Sequence, residues 1–193
     1  MEKKQRTRLV VFGILGLIIV IVIGFIIGTY NSLASEENQV DTTWSQVENV
    51  MQRRADLVPN LVNSVKGSMK QEQKVFSDIT QARKNYNNAK SPNEKVKANN
   101  QLDSSLGLMI NVIHENYPKL ASNDNVKTLM VQLEGTENRI SVERRNYIQE
   151  VNNYNQNIVR FPKNIVARLF GFEKKSNFKA DEKAKKVPNV NFD

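Results

Sequence analysis

The chain has 193 residues, with 28 Lys and Arg against 20 Asp and Glu for a net charge of +8, one His and no Cys. Without Cys there is no disulfide, thiolate metal site or cysteine nucleophile, and a single His leaves no pair for zinc and no histidine relay. The eight glycines form no phosphate-cradling loop.

Residues 1–8 are a basic flank carrying Lys3, Lys4, Arg6 and Arg8. An apolar run then opens at Leu9 and closes at Ile27: 19 residues, of which sixteen are large and apolar and three are Gly. At about 1.5 Å per residue it matches the ~30 Å hydrocarbon layer. A buried core helix would keep one polar face, and this run has none. Residues 9–29 therefore read as a transmembrane helix whose partner is the lipid bilayer. Ser32-Leu33-Ala34 offers the small residues of a signal-peptidase site. The run exceeds the ~7–15 residues of a cleaved signal, however, so an uncleaved signal anchor is expected. After the run no Lys or Arg occurs until Arg53, whereas Glu36, Glu37 and Asp41 do. The positive-inside rule then keeps the N-terminus cytoplasmic and the rest of the chain outside. Gly24 and Gly28 form a GxxxG that would let two spans approach, so a homo-oligomer is one expected partner state.

Residues 30–172 show apolar spacing close to 3.5 and no sustained alternation, which predicts helices and essentially no sheet. Leu33, Val40, Trp44, Val47, Met51, Ala55 and Val58 follow in steps of 7, 4, 3, 4, 4 and 3. The stripe starts so soon after the span that the two read as one continuous helix. Pro59 is expected to break or kink it. A second stripe runs through Val62, Val65, Met69, Phe76, Ile79 and Tyr86. Ser91-Pro92-Asn93-Glu94 has the form of a capping box that starts a third helix, which ends at Tyr117-Pro118. Asn123 or Asp124 is placed to cap the longest helix, carrying Val126, Leu129, Leu133, Ile140, Tyr147, Val151, Tyr154 and Ile158. After Phe161-Pro162 a short helix is predicted to close on Gly171. The fold class is all-α: the transmembrane helix, then an antiparallel up-and-down bundle of about four long helices. Residues 173–193, with six Lys, four acids and apolar side chains at Val187, Val190 and Phe192, read as a flexible arm with the means to dock weakly.

Polar residues interrupt the stripes at defined slots. Glu72, Glu134 and Glu137 are candidate carboxylate ligands, but neither Glu72 nor Glu137 is followed by the His of a Glu-x-x-His motif. They are better placed to pair between helices with Arg53, Arg54, Arg83, Arg139 or Arg144. An interhelical network of Glu72, Arg83, Glu134, Glu137, Arg139 and Arg144 is therefore expected, with no metal and no cofactor. His114 near a helix end is read as a favourable terminal charge. Trp44 is assigned to the core, and Tyr147 and Tyr154 to its edge with hydroxyls outward. The segment Trp44, Arg53, Arg54, Asp56, Pro59, Asn60 and Lys66 is the candidate interaction patch. The bundle carries 18 basic and 15 acidic residues without a large basic run, so nucleic acid is not an expected partner.

Three stretches resemble the bacterial LemA family. The first is Trp44-Ser45-Gln46-Val47 with Arg53-Arg54-Ala55-Asp56-Leu57-Val58-Pro59-Asn60-Leu61-Val62 and Val65-Lys66-Gly67. The second is Tyr117-Pro118 with Leu133-Glu134-Gly135-Thr136-Glu137-Asn138-Arg139-Ile140, Arg144, Tyr147 and Tyr154-Asn155. The third is Phe161-Pro162-Lys163-Asn164 with Phe170-Gly171-Phe172 and Phe178. The resemblance implies a single N-terminal span, a helical-bundle domain and no known enzymatic activity. It also implies links of some relatives to a membrane zinc protease, and of one branch to bacterial organelle membranes. Some family descriptions put the short N-terminus outside the cell, opposite to the charge argument. Gln71 and Ile148 replace the His and Asn found in many relatives, which removes a metal or proton role at position 71. The expected function is that of a membrane-anchored, non-enzymatic scaffold at the envelope whose partner is an unidentified membrane or envelope protein. A partner role beside a membrane protease is the alternative, and a metal-dependent enzyme the least favoured reading.

Overall fold

The computed structural model describes residues 2–178, with side chains from residue 9 onward. The described residues form six helices and no strand: α1 (Glu2–Val65), α2 (Gln73–Asn88), α3 (Pro92–Asn116), α4 (Pro118–Ala121), α5 (Asp124–Val159) and α6 (Lys163–Phe170). The all-α expectation holds, and α1 does carry the apolar run directly into the first stripe. No residue of that run is buried, whereas Leu33, Val40, Val47, Met51, Ala55 and Val58 are almost wholly enclosed. Each stripe supplies a narrow apolar seam, and burying the seams together contributes about 25 cal/mol per Å² removed from water.

Pro59 does not end the first helix. α1 continues through it to Val65, because Val58, Leu61 and Val65 are all core residues and hold the last turns in place. Proline removes the amide that would bond the carbonyl four residues back, that of Ala55. That carbonyl is satisfied from another helix: Arg83 Nε donates to Ala55 O at 3.0 Å. Val62 and Val65 thus belong to α1, and α2 buries Val75, Ile79, Ala82 and Tyr86, with Phe76 half-exposed.

The predicted helix termini are largely in place. Ser91 Oγ accepts from the Glu94 amide at 3.3 Å, and Glu94 Oε2 accepts from the Ser91 amide at 3.4 Å, completing the capping box with Pro92 in the first turn. Asn123 Oδ1 accepts from the amides of Asn125 and Val126, so Asn123 caps α5. The four-residue α4 was not foreseen; Pro118 starts it immediately after Tyr117. Gly171 ends α6 at φ 76°, a left-handed conformation that costs a residue with a Cβ about 1–2 kcal/mol.

The described residues fall into two compact units, one with residues of Met1–Thr42 and Gln149–Ser176, the other with residues of Thr43–Ile148 and Asn177–Asp193. The first unit buries Leu33 and Val40 of α1, Val151, Tyr154 and Ile158 of α5, and Val166 and Ala167 of α6. Tyr154 is fully enclosed, hydroxyl included, rather than an outward-facing edge residue. Burial pushes its phenol above the ordinary tyrosine value, with Glu37 adding to the shift.

In the second unit, cross-helix pairs give the directions. Glu48 O with Tyr86 and Ala55 O with Arg83 make α1 and α2 antiparallel. Asn85 with Gln101 and Glu72 with Tyr117 do the same for α2 and α3, as do Arg54 with Glu137 and Trp44 with Tyr147 for α1 and α5. Successive long helices of this unit therefore alternate in direction, as the short connections predict.

The described start of the tail, residues 173–178, makes defined contacts with the helices. Asn155 makes a reciprocal pair with the Lys175 backbone, donating to Lys175 O at 2.8 Å and accepting from its amide at 2.9 Å. Lys175 Nζ also reaches Glu37 Oε1 at 2.8 Å and Asp41 Oδ1 at 3.6 Å. The hydrogen bond that Lys175 Nζ donates to Glu37 holds the ammonium above the usual lysine range. Residues 179–193, with Val187, Val190 and Phe192, lie outside the described residues, as do the side chains of the basic flank.

Candidate functional site

Arg54 lies between Met51 and Ala55 on the inward side of α1, and only 2% of it reaches solvent. Its guanidinium serves two helices. Nη1 donates to Asp103 Oδ1 of α3 at 3.0 Å, and Nη2 to Glu137 Oε2 of α5. Nε donates to Thr136 Oγ1 at 3.3 Å, and that hydroxyl donates to Leu133 O at 2.6 Å. A planar, permanently charged fork suits this position because it can bond two carboxylates and a hydroxyl together. Asp103 and Glu137 are 48% and 38% exposed, so the cluster runs from the core to the surface.

Arg144 on α5 adds a second cation, with Nη2 donating to Asn100 Oδ1 of α3 at 3.0 Å. Burial raises the Asp103 carboxyl above the usual carboxylate range, outweighing the attraction of Arg54. Burial lowers the Arg144 guanidinium, while Glu137 pulls it back up. Two guanidinium groups thus face two carboxylates across α1, α3 and α5. The cluster borders a groove of about 470 Å³ between α3 and α5, with Leu106, Ile110, Met130 and Leu133 as apolar lining. His114, Lys127 and Glu134 stand at the same groove, and all three are exposed. Chemically this is a clamp: each buried charge is engaged by an opposite charge or an amide, which fixes the register of three helices with similar seams. Among the described residues, no group of three or more His, Asp and Glu could hold a metal ion.

The expected network is brought together only in part. Glu137 and Arg144 belong to the cluster. Glu72 instead accepts from Tyr117 Oη at 3.4 Å, and Arg83 bonds the Ala55 carbonyl. Glu134 borders the groove from an exposed position, and Arg139 is exposed two residues after Glu137, about 200° round the helix. The expected patch is also divided. Arg53, Asp56, Asn60 and Lys66 are exposed, and Pro59 is half-buried. Arg54 is not a surface residue, because its helical phase turns it into the core beside Ala55. Trp44 is half-buried, its ring 5.7 Å from that of Tyr147 and 5.9 Å from that of Phe178. Phe178 lies 5.9 Å from the Arg144 guanidinium.

Asp103, Thr136 and Asn100 are the cluster members that sequence reasoning missed. The signals were weak but present: Asp103 directly follows the core Leu102, and Thr136 lies three residues after the core Leu133 on the same helical face.

A family model described as the LemA family matches residues 43–192. A chain named Protein LemA from Metamycoplasma hominis is 26% identical over 157 residues, covering 81% of this chain and 71% of its own length. Two chains from Paramagnetospirillum magneticum, named Magnetosome protein MamQ 1 and MamQ 2, are each 25% identical over 175 residues, covering 77% of this chain. The match covers 64% of each of those two chains, under two thirds of their length.

Proposed function

Because the chain belongs to the LemA family and has, among the described residues, one helix long and apolar enough to cross a membrane, we propose that it is a membrane-anchored helical protein acting as a non-enzymatic scaffold at the bacterial envelope. The observation that carries this reading is α1 itself. Its apolar part, Leu9–Ile27, carries no charged side chain, and none of it is buried. The same helix then enters a packed unit through Leu33 and Val40 without a break. An exposed apolar helix of that length is stable against lipid and costly against water. The scaffold reading is supported by how the charges are used: the buried fork of Arg54 is occupied by carboxylates that hold helices together. The names of the magnetosome relatives are compatible with work at a membrane of some kind. The charge bias around the span supports a cytoplasmic N-terminus and an outer bundle.

The exposed part of the patch, Arg53, Asp56, Asn60 and Lys66, is the proposed partner surface. Photo-crosslinking from position 60 in intact membranes tests it. The scaffold reading expects a discrete set of protein neighbours that is lost when Arg53 and Asp56 are both reversed in charge. Capture of one membrane protease alone would support the accessory role instead. Turnover of a small molecule by the purified chain would end the non-enzymatic reading. Protease shaving of intact cells tests orientation: removal of the C-terminal end before lysis is expected, and protection until lysis would reverse the topology.

A further inference from the structure

Helix α6 carries an apolar surface that the packing of its own unit leaves uncovered. Val166 and Ala167 are buried against that unit, while Ile165, Leu169 and Phe170 are 58%, 68% and 49% exposed. Ile165 and Leu169 are one turn apart and share a face. The place of α6 along α1 distinguishes this surface from scattered exposed apolar residues. Phe170 lines a small notch of about 270 Å³ with Ile26, Ile27 and Tyr30, the last two residues of the apolar run and the first aromatic after it. The Tyr30 ring is 5.0 Å from Phe170 and 5.6 Å from Phe172. Gly171, at φ 76°, turns the chain between these two aromatic residues. At its other end α6 is tied to α1 by Lys163 Nζ, 3.4 Å from Glu36 Oε1 and 3.3 Å from Ser32 Oγ. The C-terminal end of α6 is thus fixed at the level of Ile26 and Ile27, and its N-terminal end is tied through the Lys163 side chain to Ser32 and Glu36, further along α1.

We propose that α6 is an interfacial helix whose C-terminal end, Leu169 and Phe170 with Ile165 above them, lies in the lipid headgroup and upper acyl region beside the span. This rests on the anchoring reading above: if residues 9–27 are in hydrocarbon, the contact of Phe170 with Ile26 and Ile27 leaves Leu169 and Phe170 at the boundary. The occupant of the apolar face is the bilayer surface, continuous with the lipid around the span. Tyr30 suits that depth because its ring is apolar and its hydroxyl polar, and Leu and Phe are the side chains with which an interfacial helix enters the headgroup–acyl boundary. The exposed Arg168 supplies a cation at the level of the lipid phosphates. The chain would then hold the membrane at two points, and the second would stop the packed unit from swinging about the first.

The chain has one tryptophan, Trp44, so depth can be read optically. Full-length protein carrying Trp44→Phe would be given either Ile19→Trp or Leu169→Trp and reconstituted into two sets of phosphatidylcholine vesicles, one with bromines near the glycerol end of the acyl chains for Leu169→Trp and one with bromines near the chain ends for Ile19→Trp. Both variants are expected to lose emission relative to unbrominated vesicles, and the Leu169→Trp spectrum to be shifted to the blue of free indole. If Ile19→Trp is quenched but Leu169→Trp keeps its intensity, the interfacial helix is wrong while the anchor stands. Blue-shifted but unquenched Leu169→Trp would mean that protein covers α6, which also overturns the proposal. If neither is quenched, the anchor and the interfacial helix fail together.

Discussion

Arg54 has a short list of partners that account for its burial: two carboxylates and a hydroxyl, on two other helices. Its removal leaves Asp103 and Glu137 close together without their shared cation. Breaking a buried pair from one side costs about 3–5 kcal/mol. Because both carboxylates reach water, Arg54→Ala should cost about 3 kcal/mol, the low end of that range, read by urea unfolding of the detergent-solubilised chain. Arg54→Ala with Glu137→Ala should cost less than the sum of the two single changes; strict additivity would show that the pair is not coupled. Arg83 makes a second residue-level prediction. Its removal leaves the Ala55 carbonyl without a donor, a loss of about 1–3 kcal/mol. In a Pro59→Ala background the backbone amide returns, so most of that loss should disappear; an unchanged cost would rule out this role. Neither arrangement was fully legible in the chain. Arg53-Arg54-Ala55-Asp56 reads as a surface charge cluster, and only the helical phase set by Met51, Ala55 and Val58 sends Arg54 inward. The partner that lets α1 pass Pro59 bonds across 28 positions, beyond the reach of any local pattern.

Helix ends were the most legible elements, because each is decided by residues a few positions apart. Ser91, Pro92 and Glu94 specify the start of α3, Asn123 that of α5, and Gly171 the end of α6. Loss of the cap through Ser91→Ala should cost about 1 kcal/mol. The amides of Lys90 and Ser91 hold the Glu94 carboxyl below its ordinary value. A depressed carboxylate stabilises the fold above its unfolded pKa, about 4.3, and loses that contribution as pH falls through the lower folded value. Glu94→Gln should therefore flatten the acid limb of the stability profile below about pH 4.3; a profile identical to that of the unmodified chain would contradict the capping role. Interruptions within a seam were read less well. Glu137 and Arg144 were recognisable as polar slots between core residues, yet Glu72 and Arg139 had the same appearance. Their partners depend on how α2, α3 and α5 face one another, which the spacing along one helix does not determine.

At the scale of the molecule, the division between an unburied apolar run and a packed helical part was plain from the first 30 residues and the 3.5-type spacing after them. The ordered start of the C-terminal segment was not, since Lys175 is held through Asn155, Glu37 and Asp41, all distant in sequence. The whole account rests on the apolar run of α1 being in hydrocarbon, with the helical seams satisfied by one another. Its most direct test is extraction of the full-length chain from isolated membranes. It should remain in the pellet through high salt and alkaline carbonate and enter solution only with detergent. Release by carbonate alone, or recovery of the intact chain from the cytosol, would contradict it.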